Sequence, residues 1–128
     1  MTGETDLQTL LRDLRPELNP GRYVFTMAEG GVPSGVTPVV TVAEQEGLTL
    51  VVPQAEADAA GMAYDYVAGW ITLRVHSAPA AVGLTAAVSG AHLSCNVVAG
   101  FHHDHLFVPY EDAEHAVEVL RRLAQGSS

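Results

Sequence analysis

The stretch LSCNVVAG (93–100), FHHDH (101–105), LFVP (106–109) decides how the rest of the chain is read. An apolar run suited to a buried strand meets Gly100, then polar residues, three of them imidazoles, and then resumes as a second strand-like run. The pattern predicts a hairpin from Leu93 to Pro109 with a histidine-rich tip at 101–105. Downstream, Glu111, Asp112 and Glu114 suit the positive end of a helix and Arg121 and Arg122 its negative end. Ala113, Ala116, Val117, Leu120 and Ala124 supply an apolar stripe between them, so a helix is predicted over 112–124.

Upstream, 64–76 reads as the longest extended stretch, with Val67, Ile71, Leu73 and Val75 on one face and Trp70, Thr72 and Arg74 on the other. Ser77 to Pro79 breaks it, and 80–89 suits a helix despite Gly83. The half of the chain from 64 onward is therefore β-α-β-β-α, a ferredoxin-like unit lacking its fourth strand. The first half carries a weak echo of that order. Leu7, Leu10, Leu11 and Leu14 recur at helical intervals after a capping-box pair, Thr5 and Gln8, until Pro16 stops the helix. Glu17 to Gly21 has turn chemistry, and 22–27 is a strand followed by the loop EGGVPSG (29–35). Strands over 37–44 and 48–52 flank a turn at Glu46 and Gly47, and a short helix over 54–60 ends at Gly61. Two incomplete modules, 1–63 and 64–128, can complete each other, and the strand beginning at Tyr64 can serve both.

The 128 residues are 48% hydrophobic, enough for a core. No segment is long and apolar enough to span a bilayer, and MTGETDLQ lacks the basic flank and apolar core of a signal peptide, so a cytoplasmic protein is expected, with no membrane partner. Net charge is −9, with six scattered arginines and no lysine, which argues against a nucleic-acid partner. Cys95, the single cysteine, forms no internal disulfide and reads as a small core residue.

Within this frame, ITLRVHSAPAAVGLTAAV (71–88) resembles the first strand, glycine-containing turn and first helix of an ACT domain. SCNVVAGFHHDHLFVP (94–109) resembles the second and third strands of a small bacterial ACT-domain family, and GRYVFTMAEG (21–30) with EGLTLVVPQAEADAAG (46–61) resembles its truncated N-terminal half. The likeness runs from Leu7 to Leu123. It implies an α+β protein of tandem ACT-like, ferredoxin-like modules, with antiparallel sheets and helices on one face, associating as a homodimer or higher homo-oligomer through its sheets. It also implies a non-enzymatic regulatory role with a small-molecule effector, often an amino acid, and no cofactor. One departure is the short lead-in Ser89 to His92, where family members carry a longer helix.

Three places offer chemistry. At the turn 77–85 a helix N-terminus suits a carboxylate, and Gly83 permits close approach of a ligand or, equally, tight helix-on-sheet packing. By resemblance Val82, Gly83 and Leu84 line an effector pocket there, with Ser77 and Thr85 at its ends. Arg74 and Asn96 lie on strands flanking the one that bears Phe107, on the face away from the helices with Trp70 and His105. Arg74 suits either a ligand carboxylate or a structural ion pair. The third place is the cluster His102, His103 and His105 with Asp104. Imidazole and carboxylate suit a first-row metal or a general base, yet alternating side-chain directions and the absence of an activated nucleophile favour a hairpin-tip or interface role. A metal-dependent enzyme and a purely structural interaction module are the alternatives to an effector-binding protein. Asp65 with Tyr64 or Tyr66 can line a pocket at the connection between the modules. Glu44, Glu46, Glu56 and Asp58 read as solvated charge.

Overall fold

A computed structural model of the chain describes residues 15–74, 90 and 93–125. The strands are β1 (Glu17–Ala28), β2 (Val40–Glu44), β3 (Gly47–Pro53), β4 (Val67–Leu73), β5 (Asn96–Ala99) and β6 (Asp104–Pro109). The helices are α1 (Gln54–Ala59) and α2 (Ala113–Ala124), the latter entered through a 3-10 turn at Tyr110–Asp112. The chain divides into two compact units, Pro20–Ala68 and Met1–Asn19 with Gly69–Ser128. Both divisions fall inside strands, β1 and β4.

The unit Pro20–Ala68 has strand order β2-β3-β1 followed by the opening of β4, Val67 and Ala68. Its β1–β3 and β2–β3 pairings are antiparallel, with Phe25 opposite Val51 and Met27 opposite Thr49. Alternation along β1 sends Val24 and Ala28 into a core with Val36, Leu50, Val52 and Ala57 of α1. The helix ends in a Schellman cap: Gly61, at φ 68°, donates to Asp58 O (3.1 Å), and Met62 N donates to Ala57 O (2.9 Å). A left-handed residue is needed there, which is why glycine occupies it.

In the other unit the opening of β1 precedes β4, β6 and β5 in the hydrogen-bonded order. Residues Glu17–Asn19 thus stand beside β4 where a ferredoxin-like sheet has its fourth strand. The β5–β6 hairpin is antiparallel, with Asn96 opposite Phe107 and Val98 opposite His105. Ile71, Leu73, Leu106 and Val108 face Ala113, Ala116, Val117 and Leu120 of α2, so the stripe read from sequence is the buried face of the helix. Gly69 lets α2 sit close: a Cβ at that position would lie 2.6 Å from the Ala113 methyl. The architecture is α+β, an antiparallel sheet with helices.

Several boundaries differ from the sequence expectations. Glu17 to Gly21 is strand, not turn. Pro20 has no N–H to give the ladder and Gly21 takes φ 97°, but Asn19 Nδ2 donates to Trp70 O (3.2 Å) and Thr72 Oγ1 (2.9 Å), tying this segment to β4 in spite of its local breakers. β2 begins at Val40 rather than Thr37, because the Thr37 N–H is taken by Glu56 Oε1 (2.6 Å). The hairpin turn is Gln45–Glu46, one residue earlier than read, with Gly47 already paired to Glu44. β4 is shorter than 64–76, since Tyr64 to Tyr66 and Arg74 are not in the strand. The helices expected over 5–15 and 80–89 lie outside the described residues, apart from Arg15.

Candidate functional site

Two regions gather polar and aromatic side chains. The first lies on β4 and β6, on the face opposite α2. Trp70 and Phe107 stack with ring centroids 6.1 Å apart at 19°, and Phe107 is fully buried. The Trp70 indole N–H donates to His105 Nδ1 (3.0 Å), and the Thr72 hydroxyl sits 3.4 Å from the same nitrogen. With Nδ1 accepting, the neutral imidazole carries its proton on Nε2. Burial, assisted by the nearby charge of His103 and opposed by Asp104, holds the His105 pKa below the ordinary imidazole value. A half-buried histidine whose neutral form is favoured and whose Nδ1 is gripped by an indole is a structural acceptor first.

Strand register decides the fate of the histidine cluster. Ala99 pairs with Asp104, so Asp104 and His105 belong to β6, and the tip is only 100–103, shorter than the 101–105 read from sequence. Gly100 N donates to His103 O (2.9 Å) across the turn, and a Cβ on Gly100 would meet that carbonyl at 2.7 Å, so the turn needs glycine. Phe101 is 95% exposed, with the His102 ring edge-on to it at 4.9 Å, while the His102 and His103 rings are 6.4 Å apart. Among the described residues no three His, Cys, Asp or Glu side chains are grouped to hold a metal ion. His102, His103 and His105 are therefore not grouped as a set of metal ligands.

Of the other residues singled out, Arg74 is half exposed and its Nε donates to Glu17 Oε1 (2.9 Å). That hydrogen bond and charge pair draw the Glu17 carboxyl below its usual range and raise the guanidinium. Asn96 is exposed on β5, opposite Phe107. Ser77, Val82, Gly83, Leu84 and Thr85 lie outside the described residues. Cys95 is half buried against the α2 core, and burial pushes its thiol up to about 11, unsuited to a nucleophile.

The second region is an open hollow of about 440 Å³ in the unit Pro20–Ala68. Phe25, Thr26 and Met27 of β1, Thr49 of β3 and the segment Ala63 to Tyr66 line it. The Phe25 and Tyr66 rings meet at 5.4 Å and 52°, making an aromatic corner. The sequence pointed to Asp65 with Tyr64 or Tyr66 lining a pocket at the connection between modules; the hollow lies within one unit and takes in all three. Phe25, Met27 and Thr49 were missed, although the alternation of β1 and the Met27–Thr49 pairing hold the signal.

A sequence model of the ACT domain matches residues 2–69. A solved Vibrio cholerae protein of unknown function, described as a possible transport protein, is 35% identical, with a TM-score of 0.89 over 97% of this chain and 100% of that one. The ligand-free regulatory subunit of aspartate kinase from Thermus thermophilus aligns at 11% identity and a TM-score of 0.62, over 84% of this chain and 95% of that one. Aspartate kinase from Clostridium acetobutylicum aligns at 12% and 0.61, over 86% of this chain and 34% of that one. At these identities the two kinase structures share the fold alone. No curated protein matches the chain.

Proposed function

Because the chain belongs to the ACT domain family, we propose that it is a non-enzymatic regulatory protein that binds an amino-acid-sized effector. Family membership carries this reading, since ACT domains are in general regulatory small-molecule-binding modules. We take the chain as tandem modules, 1–63 and 64–128, acting in the cytoplasm as a homodimer. The effector's carboxylate meets backbone N–H groups of Val82, Gly83 and Leu84, between Ser77 and Thr85, where a helix N-terminus favours negative charge. Asn96 hydrogen-bonds the amine or side chain. Arg74, solvated and paired with Glu17, can exchange that carboxylate for the ligand's at little cost, because exposed ion pairs contribute little. Binding then regulates by favouring one packing of modules or subunits over another.

Thermal-shift screening of the full chain against the amino acids tests the reading. A ligand at a hundredfold its dissociation constant adds about 2.7 kcal/mol of stability. Gly83→Leu should abolish the shift and leave helical circular dichroism intact. Were no amino acid to stabilise the protein, or the shift to survive in Gly83→Leu, the effector site would have to be given up.

A further inference from the structure

The hollow in the unit Pro20–Ala68 has an electrostatic character that the effector reading does not use. Thr26, Thr49 and Tyr64 line it beside Tyr66, and the first three already donate their hydroxyl protons to oxygens of the protein. The Thr26 hydroxyl donates to Ala63 O (2.7 Å), the Thr49 hydroxyl to the Glu44 carboxylate, and the Tyr64 hydroxyl to Asp58 Oδ1 (2.6 Å). The Tyr64 phenol is held protonated by its carboxylate partner, which pushes its pKa up. The Tyr64 oxygen also accepts from Gln54 Nε2 (3.1 Å) and Thr26 shares the core-facing alternation of Val24 and Ala28, so it is Thr49, paired with Met27, that is left to offer a ligand an oxygen lone pair. The lining also includes the aromatic corner of Phe25 and Tyr66, the half-exposed Met27 thioether, and Asp65, the one charged side chain among the described lining residues. A lone pair, ring faces, a polarisable sulfur and a carboxylate all attract positive charge.

We propose that this hollow binds a small organic cation, an alkyl- or quaternary ammonium compound without a carboxylate of its own. The ammonium lies against the Phe25–Tyr66 corner with Asp65 as its counter-ion, and the alkyl part covers Met27. Among the described residues no arginine or lysine lines the hollow to receive an anion, so a zwitterion is disfavoured relative to a simple cation. The site shares no residue with the turn 77–85 or with Asn96, so the two proposals can succeed or fail independently.

Three probes of nearly equal size separate the contributions: choline, its uncharged isostere 3,3-dimethyl-1-butanol, and glycine betaine, which adds a carboxylate. Titration of the full chain is followed by amide chemical shifts at low ionic strength. Choline should bind with a millimolar or better dissociation constant and perturb residues 25–27 and 63–66. The neutral isostere and betaine should each bind at least about threefold more weakly, the scale of an exposed cation–π contact. Asp65→Asn, an exposed substitution, and Phe25→Leu, which keeps apolar bulk and removes the ring, should each weaken choline by a similar factor. Shifts confined to other residues, equal binding of the isostere, or unchanged affinity in folded Asp65→Asn would overturn the assignment.

Discussion

Replacing Gly69 by alanine tests how closely α2 is fitted to β4. The added methyl would lie 2.6 Å from the Ala113 Cβ, 3.9 Å from the Ala113 Cα and 3.7 Å from a Leu18 methyl. Two methyl groups settle at about 3.5–4.0 Å, so helix and strand must separate by about 1 Å. Ala113 has no torsion by which to swing its methyl aside, and it is almost fully buried at the first turn of α2. Overpacking of this kind costs about 1–3 kcal/mol. Gly69 does not have a positive φ, so alanine would otherwise gain about 0.4–1 kcal/mol by restricting the unfolded chain. The clash should win, leaving Gly69→Ala less stable by about 1–2 kcal/mol in urea denaturation. The discriminating step is the double-mutant cycle. Ala113→Gly alone should destabilise by up to about 1 kcal/mol through lost helix propensity. Combined with Gly69→Ala it should return most of the space, so the double variant should be more stable than the sum of the singles by more than about 0.5 kcal/mol. Additive singles, or a Gly69→Ala protein as stable as its parent, would refute the close-packing argument.

Two further outcomes follow from titratable groups. The His105 pKa is lowered in the folded state, so between that value and about 6.5 the unfolded chain binds more protons and stability rises with pH. Acidification below about pH 6.5 should therefore lower the denaturation midpoint, and His105→Asn, which keeps an acceptor for the Trp70 indole without titrating, should flatten that slope. An unchanged slope would place the titration elsewhere. With its thiol pushed up to about 11, Cys95 is thiolate in about one molecule per thousand at pH 8, so a disulfide reagent should label the native protein far more slowly than the urea-unfolded one. Equal rates would show the thiol to be open.

Much of the fold was legible because it is locally encoded. The apolar stripe of α2, the cap glycine Gly61 and the alternation of β4 each need only neighbouring residues to be read. What escaped depends on partners distant in sequence. Asn19, held by Trp70 and Thr72, keeps Glu17 to Gly21 extended through a proline and a left-handed glycine, an outcome no window around Pro20 could announce. His105 left the tip for the strand because Val98 pairs with it, and that register turned a prospective metal ligand into the acceptor of an indole. Asp65 was visible as a pocket residue, but the sign of the hollow depends also on which way Thr49 donates. That direction is set by Glu44.

The indole that grips His105 is also the only tryptophan in the chain. Its emission therefore comes from one address, the face of β4 and β6 that carries Asn96's neighbour Phe107. Protonation of His105 removes the acceptor of the indole N–H and puts a cationic quencher against the ring, so light emitted by the unlabelled protein reads out the charge of a single half-buried imidazole. Because that fluorophore reports on its own surroundings, an effector bound near Asn96 should disturb its colour or lifetime.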